Sequence, residues 1–223
     1  MDYILQLFLA LAFMLIWYIL SRDKKIRRNT RAMWMAAGFG VGGLIVAAIL
    51  ENLFLSEQVG LVPLVGDERT NTSLIIGIIE EVCKFVPLAI VIYNRPYFKT
   101  HIDGVLYFAL AGLGFGLPEN FLYTLDGGIV TGLARLLLTP FFHAATTTIV
   151  GYYLARAKLK KGTIAGVVTA LLAMIAIHAV YDYGLLGTIS HAALLSVFLT
   201  TMLTIVMFYF IRLAKTEDEK ITE

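Results

Sequence analysis

The sequence predicts an all-α fold, a polytopic bundle of about seven membrane-spanning helices, and three observations carry that expectation. Of its 223 residues, 59% are hydrophobic and 15% charged, whereas a soluble domain has about half its residues apolar and about a quarter charged. The apolar excess is gathered in long blocks rather than scattered. The basic residues fall in alternate connecting segments, as they do when helices cross and recross a bilayer.

About 20 apolar residues cross the hydrocarbon. The blocks at 3–20, 33–55, 73–93, 104–125, 137–156, 163–183 and 192–213 meet or approach that length. The first opens on Met-Asp without a basic leader, its basic cluster follows it, and no small-x-small cleavage site precedes that cluster. It reads as a retained span rather than a signal peptide. The fourth block is followed by DGGIVTGLARL at 126–136, expected to be a short interfacial or re-entrant piece. Pro140 suits the first turn of the fifth helix.

The connections test the count. SRDKKIRRNTR at 21–31 holds six Lys/Arg, 94–103 two, 156–162 four and the tail from Arg212 three. The alternate connection 56–72 holds only Arg69, and 184–191 holds none. Fifteen of the eighteen basic residues thus share one side, which the positive-inside rule places in the cytoplasm, leaving the N-terminus outside and the C-terminus inside. The expected location is the cell membrane. Residues 1–223 form one membrane domain: accessory spans in 3–55, a core over 73–183, a last span at 192–213 and a frayed, solvated tail at 214–223. Internal repeats are absent from the sequence, and nucleic acid is not an expected partner. With one cysteine, Cys83, no intrachain disulfide can form.

Charges inside such spans are costly and normally face a cavity or a partner. The third span carries Glu80, Glu81 and Lys84, the fourth Glu119 followed by Asn120, the fifth His143, and the sixth His178 and Asp182. With a rise of about 1.5 Å per residue, Glu80 lies roughly 10 Å below the outer end of its span, and Glu119 and His178 some 22 Å above the cytoplasmic ends of theirs. In a core about 30 Å thick, all these groups share one slab in the outer half. Glu80 and Lys84 are four residues apart, Glu81 and Lys84 three, so one lysine reaches either carboxylate. The His178–Asp182 spacing lets a carboxylate fix which imidazole nitrogen is free. Gly112, Gly114 and Gly116, with Pro118, allow close backbone approach or a loosened helix beside a wet cavity.

Each feature also has a plainer role. Glu81–Lys84 alone suits a structural ion pair, His143 alone a packing histidine, and Cys83 a small buried side chain. Arg135 reads as an interfacial anchor, and His101 and His191 as solvated loop residues. Four such accidents at one depth are less economical than one site. The set offers carboxylates and imidazoles without an activated serine or cysteine, which points to activation of water rather than covalent catalysis. Amide hydrolysis needs a base, an oxyanion donor and a proton for the leaving amine, and Glu80, His143 and His178 offer these.

Taken in order, Glu80-Glu81-x-x-Lys84, Phe115-x-x-x-Glu119-Asn120, a lone His143 and His178-x-x-x-Asp182 resemble the PrsW family of intramembrane proteases. That family shares a superfamily with the CAAX prenyl endopeptidases and bacteriocin-processing enzymes. The resemblance covers residues 75–183. It implies a glutamate-dependent endopeptidase acting on a single-pass or membrane-anchored protein, with cleavage near the outer face, as in site-1 cutting of an anti-sigma factor. It implies that Glu80 activates water, that Glu119 stands where CAAX relatives have a second catalytic histidine, and that His178 binds the oxyanion. Glu81 and Lys84 form a supporting pair, Asp182 orients His178, and His143 takes over protonation of the leaving amine. No cofactor is expected; zinc on His143, His178 and Glu80 is the alternative. Competing functions are a proton- or cation-coupled carrier and a non-catalytic membrane scaffold.

Overall fold

A computed structural model describes residues 29–55, 67–136, 138–186 and 190–222. Among them are six helices and no strand: α1 (Thr30–Leu55), α2 (Glu68–Ile92), α3 (His101–Leu136), α4 (Thr139–Lys158), α5 (Ile164–Leu185) and α6 (Ser190–Thr222). They correspond to the second to seventh apolar blocks. The first block, 3–20, and most of the basic segment after it lie outside the described residues.

Stretches of four helices are long and apolar enough to cross a membrane: Thr30–Leu55, His101–Leu125, Ile164–Leu185 and Leu194–Lys220. The other two, α2 and α4, are the helices with Glu80, Glu81 and Lys84 and with His143 beside Thr146, Thr147 and Thr148. The polar residues that weaken their apolar character are buried. The large apolar side chains of α1, α5 and α6, such as Ile45, Leu172 and Ile205, are exposed on the outside of the bundle.

Local chemistry sets the ends. Asp67 caps α2 by accepting the Thr70 N–H at 2.8 Å, and that bond holds its carboxyl below the usual carboxylate range. Thr163 caps α5, accepting from Gly166 at 3.1 Å. Pro140 lies in the first turn of α4, where a missing N–H costs nothing, and Arg156 and Lys158 close its last turn, where cations suit the carbonyl end.

The start of α3 departs from expectation. His101 is buried rather than solvated. Asp218, from the tail expected to fray, accepts the His101 and Ile102 N–H groups at 2.8 and 2.9 Å. It also lies 2.8 Å from His101 Nδ1. α6 is helical through Thr222, and the Asp218 carboxylate on it satisfies donors that the first turn of α3 leaves open. His191 likewise falls within α6.

α3 and α4 form the centre, with α1 against α3, α2 against α5, and α6 against α4 and α5. Small residues set the spacing, as membrane helices require when lipid supplies no hydrophobic drive. A Cβ on Gly151 would come within 2.6 Å of the Gly104 carbonyl. One on Gly112 would strike the His143 carbonyl, and one on Gly114 the backbone of Ala37 in α1. The glycines therefore serve close approach, and α3 keeps helical dihedrals through Pro118 instead of loosening there. Its break comes at Gly128, with φ 80° and ψ 175°, a left-handed conformation that glycine tolerates. An apolar groove of about 550 Å³ runs between α1 and α2, lined by Met35, Phe39 and Val46 on one side and Cys83 and Pro87 on the other.

Candidate active site

Four helices converge on one buried polar cluster. α2 brings Glu80, Glu81 and Lys84 on successive positions of one face, α3 brings Glu119, α4 His143, and α5 His178 and Asp182. All but Asp182 are buried, and Asp182 is half-buried.

Lys84 is the hub. Its Nζ lies 2.7 Å from Glu81 Oε1 and 2.7 Å from His143 Nδ1, with Glu80 Oε2 and His178 Nδ1 each at 3.5 Å. An ammonium only donates, so His143 accepts at Nδ1 and carries its proton on Nε2. That Nε2–H donates to Glu119 Oε2 at 2.5 Å. The face of the Phe115 ring completes the cage, its centroid 4.7 Å from the ammonium.

The two adjacent glutamates differ in how they are held. Oε1 of Glu81 accepts from Lys84 at 2.7 Å and from Thr146 at 3.1 Å, and His178 Nδ1 lies 2.7 Å away. This one oxygen ties α2 to α4 and α5, while Oε2 is buried without a hydrogen-bond partner among the described residues. Glu80 has no contact so short. Its Oε2 stands 3.4 Å from His178 Nε2, 3.5 Å from Lys84 and 3.8 Å from His143 Nδ1. Separations of that size leave the carboxylate free to engage a small molecule such as water. With Nδ1 of His178 committed to Glu81, its Nε2 faces Glu80 and, also at 3.4 Å, Asp182 Oδ2.

Two residues named from the sequence behave otherwise. Asn120 is buried but outside the cluster, its Nδ2 donating to the Gly132 carbonyl at 3.2 Å. Arg135, expected at the interface, donates to Glu119 Oε1 at 2.9 Å. It gives the cluster a second fixed cation against the carboxylates of Glu80, Glu81, Glu119 and Asp182. Its approach depends on the chain reversal at Gly128, which no spacing rule registers. Thr146 was also passed over, although its place three residues after His143 puts it on the same face. α1 adds Glu51, half-buried, with Oε1 shielded from solvent and lacking a hydrogen-bond partner among the described residues.

The donor set also suits a divalent metal. Glu80, His143 and His178 each offer one ligand atom, and the three atoms lie within 4.8 Å of one another. One carboxylate with two imidazoles is a common zinc set. Lys84 reaches all three of these residues, so the ammonium already neutralises part of the negative field that would draw a metal in.

Comparison with known proteins bears on the family of the chain. The family described as PrsW family intramembrane metalloprotease matches residues 28–213. A protein named Protease PrsW from Halalkalibacterium halodurans is 32% identical over 147 residues, covering 65% of this chain and 66% of that protein. The Protease PrsW of Oceanobacillus iheyensis is 29% identical over 210 residues, 92% and 93% of the two chains. That of Bacillus subtilis is 30% identical over 149 residues, 65% and 66%. No solved structure matches. The matches and the apolar helices make this a multi-pass membrane protein. With the family profile spanning most of the sequence, the four-helix cluster included, the chain belongs to the PrsW family of intramembrane proteases.

Proposed function

We propose that the chain is an intramembrane endopeptidase that hydrolyses a peptide bond of a membrane-anchored protein, with Glu80 as the base that activates water. The observation that carries this reading is the contrast between the two glutamates. Glu81 is saturated at Oε1 by Lys84, Thr146 and His178, whereas Glu80 approaches His178 Nε2 no closer than 3.4 Å. A base must reach the proton it takes, and the loosely held carboxylate is the one with room to do so.

The remaining roles follow from the contacts. Water hydrogen-bonded beside Glu80 and His178 gives its proton to Glu80 as its oxygen attacks the substrate carbonyl. His178, held by Glu81 on one nitrogen, turns the other toward the reacting centre, and in its protonated form donates to the developing oxyanion. Asp182, 3.4 Å from that nitrogen, steadies the ring. The leaving amine takes a proton from Glu80 or through His143, whose ring is held by Glu119 at Nε2. Lys84 offsets the carboxylate charge that would otherwise be untenable away from water. Zinc held by Glu80, His143 and His178 would polarise a carbonyl and acidify water. The lysine at 2.7 Å from His143 and 3.5 Å from Glu80 favours the metal-free reading.

The orientation expected from the basic loops puts the cluster in the outer half of the bilayer. This favours a substrate cut near its outer juxtamembrane end, as in site-1 cleavage of an anti-sigma factor, over a cytoplasmic CAAX terminus. The test is Glu80→Gln in purified protein reconstituted with a tagged single-span substrate. Cleavage is lost while insertion and folding are kept; full retained activity refutes the assignment.

A further inference from the structure

Glu119 is held from two directions. Its Oε2 takes the Nε2–H of His143 at 2.5 Å, and its Oε1 takes a guanidinium N–H of Arg135 at 2.9 Å. These two side chains are only 14% and 10% exposed for arginine and glutamate. Arg135 comes from sixteen residues further along the same helix, a distance of about 24 Å if α3 were straight. It arrives because the chain turns back at Gly128, with φ 80°. Two further contacts pin the returning stretch: Asn120 Nδ2 on the Gly132 carbonyl at 3.2 Å, and the Arg135 guanidinium 3.8 Å from the centre of the Tyr123 ring. The contacted residues, Glu119, Asn120 and Tyr123, sit on consecutive turns of the first stretch. The stretch expected to be interfacial or re-entrant thus folds over the cluster and delivers a charge to it.

We infer that Arg135 is a positioning residue for the peptidase reaction, acting through Glu119 on His143. The guanidinium fixes one carboxylate oxygen so that the other holds the imidazole with Nδ1 toward Lys84 and Glu80. Without it Glu119 keeps one tie, and the ring loses the anchor that fixes its orientation and its tautomer. The inference rests on the proposed peptidase activity.

The experiment measures kcat and KM for a single-span substrate with wild type, Glu80→Gln, Arg135→Ala, Arg135→Lys, Glu119→Gln and the Arg135→Ala/Glu119→Gln double variant. Loss of a partner that orients a site ligand or base lowers activity about 10–100-fold, so Arg135→Ala is expected to lose that much in kcat with KM changed less than about twofold. Arg135→Lys, or added guanidinium ion with Arg135→Ala, restores much of the loss. The double variant is no slower than the slower single one, because both changes break one path. Multiplying losses, an effect confined to KM, or full activity of Arg135→Ala would overturn the inference. If Arg135→Ala does not accumulate as folded protein, Arg135→Gln takes its place under the same criteria. Absence of cleavage by the wild type would sink the peptidase reading itself, and an active Glu80→Gln the assignment of the base; an inactive Glu80→Gln beside a fully active Arg135→Ala would sink only the role of Arg135.

Discussion

The Lys84 ammonium and Nδ1 of His143 are 2.7 Å apart, joining α2 to α4 through a lysine with no exposed surface. Removing one partner of a buried ion pair leaves the other charge uncompensated, at a cost of about 3–5 kcal/mol. Lys84→Met is therefore expected to lower stability by that amount and to abolish cleavage. Unfolding of the purified protein in mixed micelles checks the first, and proteolysis of a reconstituted substrate the second. A Lys84→Met protein as stable as wild type would mean that Glu81 finds its compensation elsewhere.

Gly116 faces the ring of His143 so closely that an added Cβ would lie 2.6 Å from Cδ2. Gly116→Ala must push the imidazole aside or part α3 from α4. Misplacing a reacting group by about 1 Å costs up to about 100-fold in rate. The expected outcome is a 10–100-fold fall in kcat, with KM little altered. Gly38, where a Cβ meets nothing within 4 Å, supplies the control, and Gly38→Ala keeps wild-type turnover.

Chelation separates the two chemistries open to Glu80, His143 and His178. With Lys84 acting as the cation of the cluster, cleavage persists after dialysis against a strong zinc chelator, and the protein carries less than stoichiometric zinc by elemental analysis. Inactivation that is reversed by zinc alone would reassign these three residues as ligands.

Asp218 caps α3 from the far end of the sequence, accepting two N–H groups at 2.8 and 2.9 Å. Losing a cap costs about 1 kcal/mol. Asp218→Ala should lower the thermal midpoint by a few degrees and leave turnover unchanged, since Glu119 lies at the middle of α3, several turns from the capped end. Circular dichroism melts and the same cleavage assay check both halves.

How much of this was legible in the sequence depended on how locally each feature is encoded. Apolar blocks are continuous, so the described helices fall close to where the hydropathy placed them. Glu80, Glu81 and Lys84 share a helix face by spacing alone, as do His178 and Asp182, and depth along each helix brought Glu119 and His143 to the same level. Arg135 was hidden because its path to Glu119 depends on one glycine's dihedral, and the stretch around it is half apolar. His101 was hidden because its partner lies 117 residues away, in a tail whose composition resembles solvated ends. The partner of Asn120 was hidden in the same way as that of Arg135, since the Gly132 carbonyl comes within reach only through the reversal at Gly128.

One oxygen of Glu81 holds together α2, α4 and α5 in surroundings where oil offers helices no reason to associate. The same atoms that ready the chemistry are then the adhesive of the bundle. A nascent chain that inserts α2 before α4 and α5 exposes two carboxylates and an ammonium to lipid until its later helices arrive. Packing the helices and closing the cluster are thus one event, because the charges of α2 find their partners only when α4 and α5 are in place.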